Sequence, residues 1–298
     1  MPQPADRLAA RNCEEITMRE SETTAGVSPL FPDEARDFMA EHTEGSYMVL
    51  DVRQAFEYQE AHLPGATLIP LPTLPDLLGS LDPEKPTIVY CRSGGRSRTA
   101  AQFLAHQGFR HVFNLVGGIQ AWEGHPAEGP MEFHLRFVRG DESPQETVTL
   151  AYEMEKGLQG FHQRMRDRTT DVGLADLLGH LIQAEASHMR RLVETGLVVA
   201  EQVKSAALAI MEGGIDAEEF LSRNEPFLRT VPGVIDVAMM IETQALDLYL
   251  RMAQESRRSE TREVLFQIAE EEKAHLAALG RLLESRAPGA RSFSGTLA

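Results

Sequence analysis

Residues 87–104 read TIVYCRSGGRSRTAAQFL, and this run decides the fold of the first half. A four-residue apolar, β-branched stretch ends at Cys91. A turn with two glycines follows, and then an amphipathic helical pattern. Strand, Gly-rich turn and helix in that order make up one step of a parallel α/β sheet. Working outward, the same alternation repeats. Further β-rich runs lie at Tyr47–Val52 (YMVLDV), Thr67–Leu71 (TLIPL) and Val112–Val116 (VFNLV), with helical stretches at Pro32–Glu41 and Arg98–Gln107. Near-continuous apolar strands are expected where both faces of a sheet are covered by helices. Residues 28–124 are therefore expected to form a parallel sheet with helices on both faces. Residues 1–27, poor in large apolar side chains, are expected to be a disordered tail.

The turn itself suggests chemistry. Two glycines let the backbone curl, so loop amides and the helix N-terminus converge on one spot suited to an anion. A sulfur at that spot is expected to be held as thiolate by amide dipoles and by Arg92 and Arg96. Cys91 is thus a candidate nucleophile, with Arg92, Ser93, Gly94, Gly95, Arg96 and Ser97 as its binding loop. A buried structural cysteine is the plainer alternative. A Cys-x5-Arg phosphatase is another, but it needs arginine at position 97, where this chain has serine.

Several motifs occur together in order: Asp51-Val52-Arg53, Glu57, His62-Leu63-Pro64-Gly65-Ala66, CRSGGRS, and Gly117-Gly118-Ile119-Gln120-Ala121-Trp122. In this set, residues 28–124 resemble the rhodanese family of sulfurtransferases. The resemblance implies that Cys91 takes a sulfane sulfur from a small anionic donor such as thiosulfate, holds it as a persulfide and passes it to a thiol acceptor. It also implies that Asp51 and Arg53 brace the loop. A family glycine before the histidine is Ala61 here.

Residues 125–145 are rich in Gly, Pro and charge and are expected to be a linker, with one short strand at Phe133–Val138. Beyond them the period changes to three and four residues. This predicts long amphipathic helices at 146–168, 173–195, 232–256 and 259–285, and a shorter helical segment at 199–212. Residues 146–286 are expected to form a four-helix bundle with one long crossover, followed by a disordered tail over 287–298.

This half contains an internal repeat with an offset of 87 residues. Glu155 maps to Glu242, Glu185 to Glu272, and His188 to His275, while Ala151, Leu178 and Met165 map to Ala238, Leu265 and Met252. The polar members lie on apolar faces: Ile268, Glu272, His275, Leu279 and Leu282 share one stripe, and Ala238, Glu242, Ala245, Tyr249 and Met252 share another. Four bare carboxylates in a core would each cost several kcal/mol or take up protons. Two divalent cations would balance them. Glu plus Glu-x-x-His from each of two helix pairs is the donor set of ferritin-like di-iron and di-manganese proteins. Residues 146–285 accordingly resemble the rubrerythrin branch of the ferritin-like superfamily. The resemblance implies two iron ions (manganese being the alternative), Glu155 and Glu242 as terminal ligands, Glu185 and Glu272 as bridges, and His188 and His275 on one ion each. It further implies peroxide or oxygen reduction. His162 and its repeat partner Tyr249 are candidates for a supporting shell. Two departures stand out. Ala245 occupies the place of an extra glutamate, and no Cys-x-x-Cys pairs follow, so an external electron-donor protein is expected. A persulfide-oxidising oxygenase, a non-catalytic metal-binding module and a sulfur-delivering docking module stay open as alternatives.

Composition limits the partners. There are 29 Lys+Arg against 45 Asp+Glu, a formal net charge of −16, so nucleic acid is not expected. No run is long and apolar enough for a membrane helix. Two cysteines, Cys13 and Cys91, provide no disulfide framework. The N-terminus lacks the apolar segment of a secretory leader, and a cytoplasmic homodimer is the expectation.

Overall fold

The computed structural model describes residues 26–129, 141–194, 196–197, 210–211, 215–216, 225 and 227–286. They form two compact units. One takes in the chain up to Asp37, Ser46–Arg53 and Ile69–Trp122; the other takes in Phe38–Gly45, Gln54–Leu68 and the chain from Glu123 onward. The tails expected at 1–27 and 287–298 and the strand expected at 133–138 lie almost wholly outside the described residues.

The α/β part runs β1 (Val27–Leu30), α1 (Pro32–Glu41), β2 (Met48–Asp51), α2 (Ala55–Glu60), β3 (Thr67–Leu68), α3 (Leu74–Leu77), β4 (Thr87–Tyr90), α4 (Gly95–His106) and β5 (Val112–Leu115). The strands make one five-stranded sheet in the order β1-β5-β4-β2-β3. The β1–β5, β5–β4 and β4–β2 pairs are all parallel. Every residue of β4 is buried, as its unbroken apolar run requires. Ala100, Ala101 and Leu104 of α4 pack with Leu50, Val89 and Val112 in one core cluster. Register places Asp51 beside Tyr90 and Val89 beside Asn114. The carboxyl ends of β2, β4 and β5 therefore share one edge, where open α/β sheets bind ligands.

Two differences from the expected strands have local causes. β3 is cut to two residues because Pro70 and Pro72 cannot donate to a ladder, and the chain turns into a 3₁₀ segment at Leu71–Thr73. β1 lay outside the expected strands. It contains Pro29, which is tolerated because β1 is an edge strand.

The helical part has four long helices: α5 (Pro144–Arg168), α6 (Val172–Glu194), α7 (Val231–Glu255) and α8 (Ser259–Arg286). Their starts follow from capping chemistry. The Ser143 hydroxyl accepts from the Glu146 amide at 3.2 Å, and the Glu146 carboxylate accepts from the Ser143 amide at 2.8 Å. Asp171 accepts from the Leu174 amide at 2.8 Å, and Thr230 accepts from the Gly233 amide at 3.2 Å. Between α6 and α7, β6 (Ile210–Met211) pairs antiparallel with β7 (Ile215–Asp216). The helix expected to run to residue 212 therefore does not include 210–211. Ile210 and Ile215 flank a Gly213-Gly214 pair, which is a hairpin signal rather than a helical one.

The helix core is split into two apolar clusters. Leu158, Phe161, Leu177, Leu178, Ile235, Ile241 and Leu279 belong to one. Val148, Ala151, Leu192, Leu248, Met252, Leu265 and Ala269 belong to the other. On each helix the change from one cluster to the other falls where the repeat places its Glu and His residues. No helix among the described residues is long and apolar enough to cross a membrane.

Candidate functional sites

The first site is made mostly of backbone. Gly94 adopts φ 92°, a left-handed conformation that L side chains rarely tolerate, and α4 begins at the next residue. This start lies three residues before the sequence pattern suggested. The turn brings the Gly94 amide to 3.2 Å from the Cys91 sulfur and the Ser97 hydroxyl to 3.5 Å. Cys91 is only 1% exposed. Burial pushes its thiol up. The Ser97 hydroxyl and the amides of Ser97, Ser93 and Gly94 outweigh burial and hold the thiol below its ordinary value. Gly94 and Ser97 are buried, Arg96 is half-buried, and Arg92, Ser93 and Gly95 are exposed.

The Gly117-Gly118 pair and the residues after it hold this loop. The Ile119 amide donates to the Cys91 carbonyl at 2.9 Å, and the Gln120 amide donates to the Arg92 carbonyl at 3.1 Å. Gly118 has φ 61°, and a Cβ there would lie against the Cys91 carbonyl and 2.6 Å from the Arg92 carbonyl carbon. The Gly117-Gly118 pair is therefore a backbone seat for residues 91–92. Asp51 accepts from the Arg53 guanidinium at 2.7 Å, and both residues are buried. The Arg53 guanidinium carbon also lies 5.4 Å from the centre of the Tyr90 ring, next to Cys91. Glu57 caps α2 from its third residue, and His62 stacks on Tyr58 with ring centres 3.7 Å apart.

Asn114 is absent from the residues singled out in the sequence. It is a buried polar residue on β5, and its Oδ1 accepts from the Ser97 hydroxyl at 2.6 Å. The available signal was one Asn inside the apolar run VFNLV.

The second site lies between the two apolar clusters of the helices. Glu155, Glu185 and His188 bring donor atoms within 4.8 Å of one another, and so do Glu242, Glu272 and His275. In the first group, His188 Nδ1 is 3.3 Å from both Glu155 and Glu185. In the second, His275 Nδ1 is 3.2 Å from Glu272 and 3.5 Å from Glu242. The His188 and His275 rings stack with centres 3.5 Å apart, which puts the two triads side by side. All six side chains are buried except that of His275, which is 14% exposed.

Buried His275 Nε2 makes no hydrogen bond, and Glu185 Oε2 and Glu242 Oε2 have only the long contacts of 3.3 Å to His188 and 3.5 Å to His275. Such atoms are costly unless something else takes their lone pairs. Burial pushes Glu242 up, but hydrogen bonds to His275 and Glu272 and the nearby histidines outweigh it and hold the carboxyl low. A set of four carboxylates and two imidazoles suits iron, manganese or zinc more than soft-metal chemistry.

His162 is 2% exposed, and its Nδ1 lies 3.5 Å from Glu185 Oε1. Burial pushes its imidazole below the ordinary value, against the opposing pull of Glu185 and Glu242. Its repeat partner Tyr249 is fully buried in the apolar cluster with Val148, Ala151 and Met252.

Residues 32–125 match the family model described as Rhodanese-like domain. Thiosulfate sulfurtransferase GlpE of Coxiella burnetii is 37% identical over 78 residues, covering 26% of this chain and 73% of that protein. A sulfurtransferase of Allochromatium vinosum is 35% identical over the same length, again 73% of that protein. Rhodanese-like/PpiC domain-containing protein 12 of Arabidopsis thaliana is 41% identical over 98 residues; the match spans only 29% of that longer protein. Through residues 32–125, the chain belongs to the rhodanese-like family.

Proposed function

We propose that this chain is a sulfurtransferase that carries sulfane sulfur on Cys91. The observation behind this reading is the buried sulfur inside a ring of amide and hydroxyl donors. The Cys91 thiolate attacks the outer sulfur of thiosulfate or a similar small anionic donor. The donor's S–S bond breaks, sulfite leaves with the electron pair, and Cys91 holds the new S–S bond. A thiolate or cyanide acceptor then attacks the outer sulfur, and Cys91 departs as thiolate. The amides of Ser93, Gly94 and Ser97 meet the negative charge at both stages. Arg92 and Arg96 attract and hold the anionic donor, while Asp51 and Arg53 keep the strand end in place. Thiosulfate:cyanide transfer tests the reading. Wild type turns over and Cys91→Ala does not; transfer retained by Cys91→Ala would refute it.

For the helical unit we propose a ferritin-like bundle of rubrerythrin type with two iron ions, manganese being the alternative. The support is the pair of like triads with weakly partnered buried donor atoms. Glu155, Glu185 and His188 would hold one ion and Glu242, Glu272 and His275 the other. His162 orients Glu185 from outside the ligand set. When bound, the ions supply the redox chemistry that reduces peroxide or oxygen, with electrons from a separate donor protein. The two apolar clusters keep bulk water off the carboxylates. This reading includes a cytoplasmic homodimer, checked by light scattering and fractionation. Anaerobic purification with metal analysis should find two ions per chain, and a chemical reductant should support peroxide consumption. Sulfite made from sulfane sulfur and O2, with weak peroxide turnover, would move the reading to a sulfur-oxidising oxygenase. Bound metal with peroxide left intact would leave a non-catalytic module.

A further inference from the structure

The Ser97 hydroxyl has one proton and two acceptors. Asn114 Oδ1 is 2.6 Å away and the Cys91 sulfur 3.5 Å away. A hydroxyl cannot donate to both, and the short bond to an amide oxygen wins over the long one to sulfur. Asn114 and the sulfur thus compete for the one Ser97 proton, and the sulfur is left with the weaker share of that donor. A thiolate or a persulfide needs the proton to swing round, and that swing gives up the bond to Asn114.

We propose that Asn114 is a positioning residue: it holds the Ser97 hydroxyl off the Cys91 sulfur and so sets how strongly that hydroxyl engages the thiolate and the persulfide. The inference rests on reading Cys91 as the sulfur carrier. Asn114 is well placed for the role. It lies on β5 next to β4, the strand that ends at Cys91, with Val89 as its register partner. Asn114 is 6% exposed and Ser97 fully buried, so water does not take over as acceptor. Asn114 carries no charge, so it acts on the sulfur through the direction of one hydroxyl. The charged residues on the elements around the sulfur are Arg92 in its loop, Arg96 and Arg98 at the start of α4, and the Asp51–Arg53 pair at the end of β2. Of the titratable groups, Tyr90 precedes the sulfur on β4. β5 and the Gly118–Ala121 turn carry no charged side chain. Substitution at position 114 by an uncharged residue leaves all of these in place.

The test is the pH profile of Cys91 alkylation by iodoacetamide, which reads thiolate without turnover. Asn114→Leu keeps the branched shape and removes the competing acceptor. Ser97 then donates to sulfur, the profile moves to lower pH, and alkylation well below the midpoint speeds up about three- to tenfold. Ser97→Ala moves the profile to higher pH, and on that background Asn114→Leu has no effect. An unmoved profile in Asn114→Leu, or an equal shift with Ser97 absent, overturns the proposal. If Asn114→Leu does not fold, Asn114→Asp decides. It keeps the shape and strengthens the acceptor, so its upward shift is larger with Ser97 present than with Ser97→Ala; equal shifts overturn the proposal. A Cys91→Ala chain that still transfers sulfur would instead sink the sulfurtransferase reading and leave the alkylation result standing.

Discussion

The thiol site is built once, from backbone, whereas the carboxylate–imidazole site is built twice, from side chains. At Cys91 the donors are amides of consecutive loop residues, aimed by the left-handed turn at Gly94 and seated on Gly118. Very few backbones could replace that loop, although the Ser97 hydroxyl adds a side-chain donor to the sulfur. In the helices the backbone is regular throughout. Specificity there comes from six side chains spaced at helical intervals, with apolar layers above and below. A loop site should therefore fail through backbone changes and a helix site through side-chain deletions.

The sharpest way to break this contrast is Cys91→Ala. Sulfur transfer should fall by at least about a thousandfold, because no other described residue replaces the nucleophile. Metal content should be unchanged. A loss of metal in that variant would mean that the two sites are not independent constructions.

Gly118→Ala tests the backbone half of the comparison. The added methyl must push back the Cys91 and Arg92 carbonyls and would force a positive φ on alanine. Transfer should drop about ten- to a hundredfold although no donor or nucleophile is removed. Near-normal transfer would show that the loop does not depend on its seat.

Glu242→Gln tests the side-chain half through the size of its effect with and without metal. Without metal, the fold holds the Glu242 carboxyl below its ordinary value through His275 and Glu272, so losing the carboxylate should lower the apo melting temperature by a few degrees. With metal, the same change would remove one of the proposed ligands, so binding should weaken about ten- to a hundredfold and the loaded chain should melt lower still. Calorimetry with and without added Mn2+ reads both. An equal fall in both states, with metal affinity unchanged, would mean that the carboxylate does not hold metal.

The contrast also explains what could be read from the sequence. The loop was legible because glycines mark special backbone positions, and Cys91, Gly94 and Ser97 fall where the pattern places them. Its boundaries were less legible: α4 starts at Gly95 because the left-handed turn admits a helix at once, and alternation of apolar residues does not show this. The helix sextet was legible because a side-chain motif recurring in register is hard to produce by chance. The stacking of His188 on His275 was not, since it depends on how α6 and α8 rotate against each other. Asn114 escaped for a related reason. One polar residue in a strand says nothing of its partner until the register puts it beside β4.

Burial should also leave a mark on the pH profile of transfer. Hydrogen bonds to sulfur hold Cys91 below the ordinary thiol value despite its burial. Donor loading should thus stay near its plateau as pH falls below about 8.5, then decline with a one-proton slope through the lower midpoint. A midpoint at or above the free-thiol value would mean that the amide ring does not engage the sulfur.

The smallest effect expected is at Ser143, which belongs to neither site. Its hydroxyl and the Glu146 carboxylate satisfy the first amides of α5, the helix that carries Glu155 and His162. Ser143→Ala should cost about 1 kcal/mol, or about 2–4 °C in melting temperature. Glu155 lies three turns further along a buried, regular helix, so fraying at residue 144 should not reach it. Metal affinity and sulfur transfer should both hold steady. A clear loss of metal would mean that the first triad depends on where α5 begins, and the helix site would then share the loop site's reliance on backbone placement.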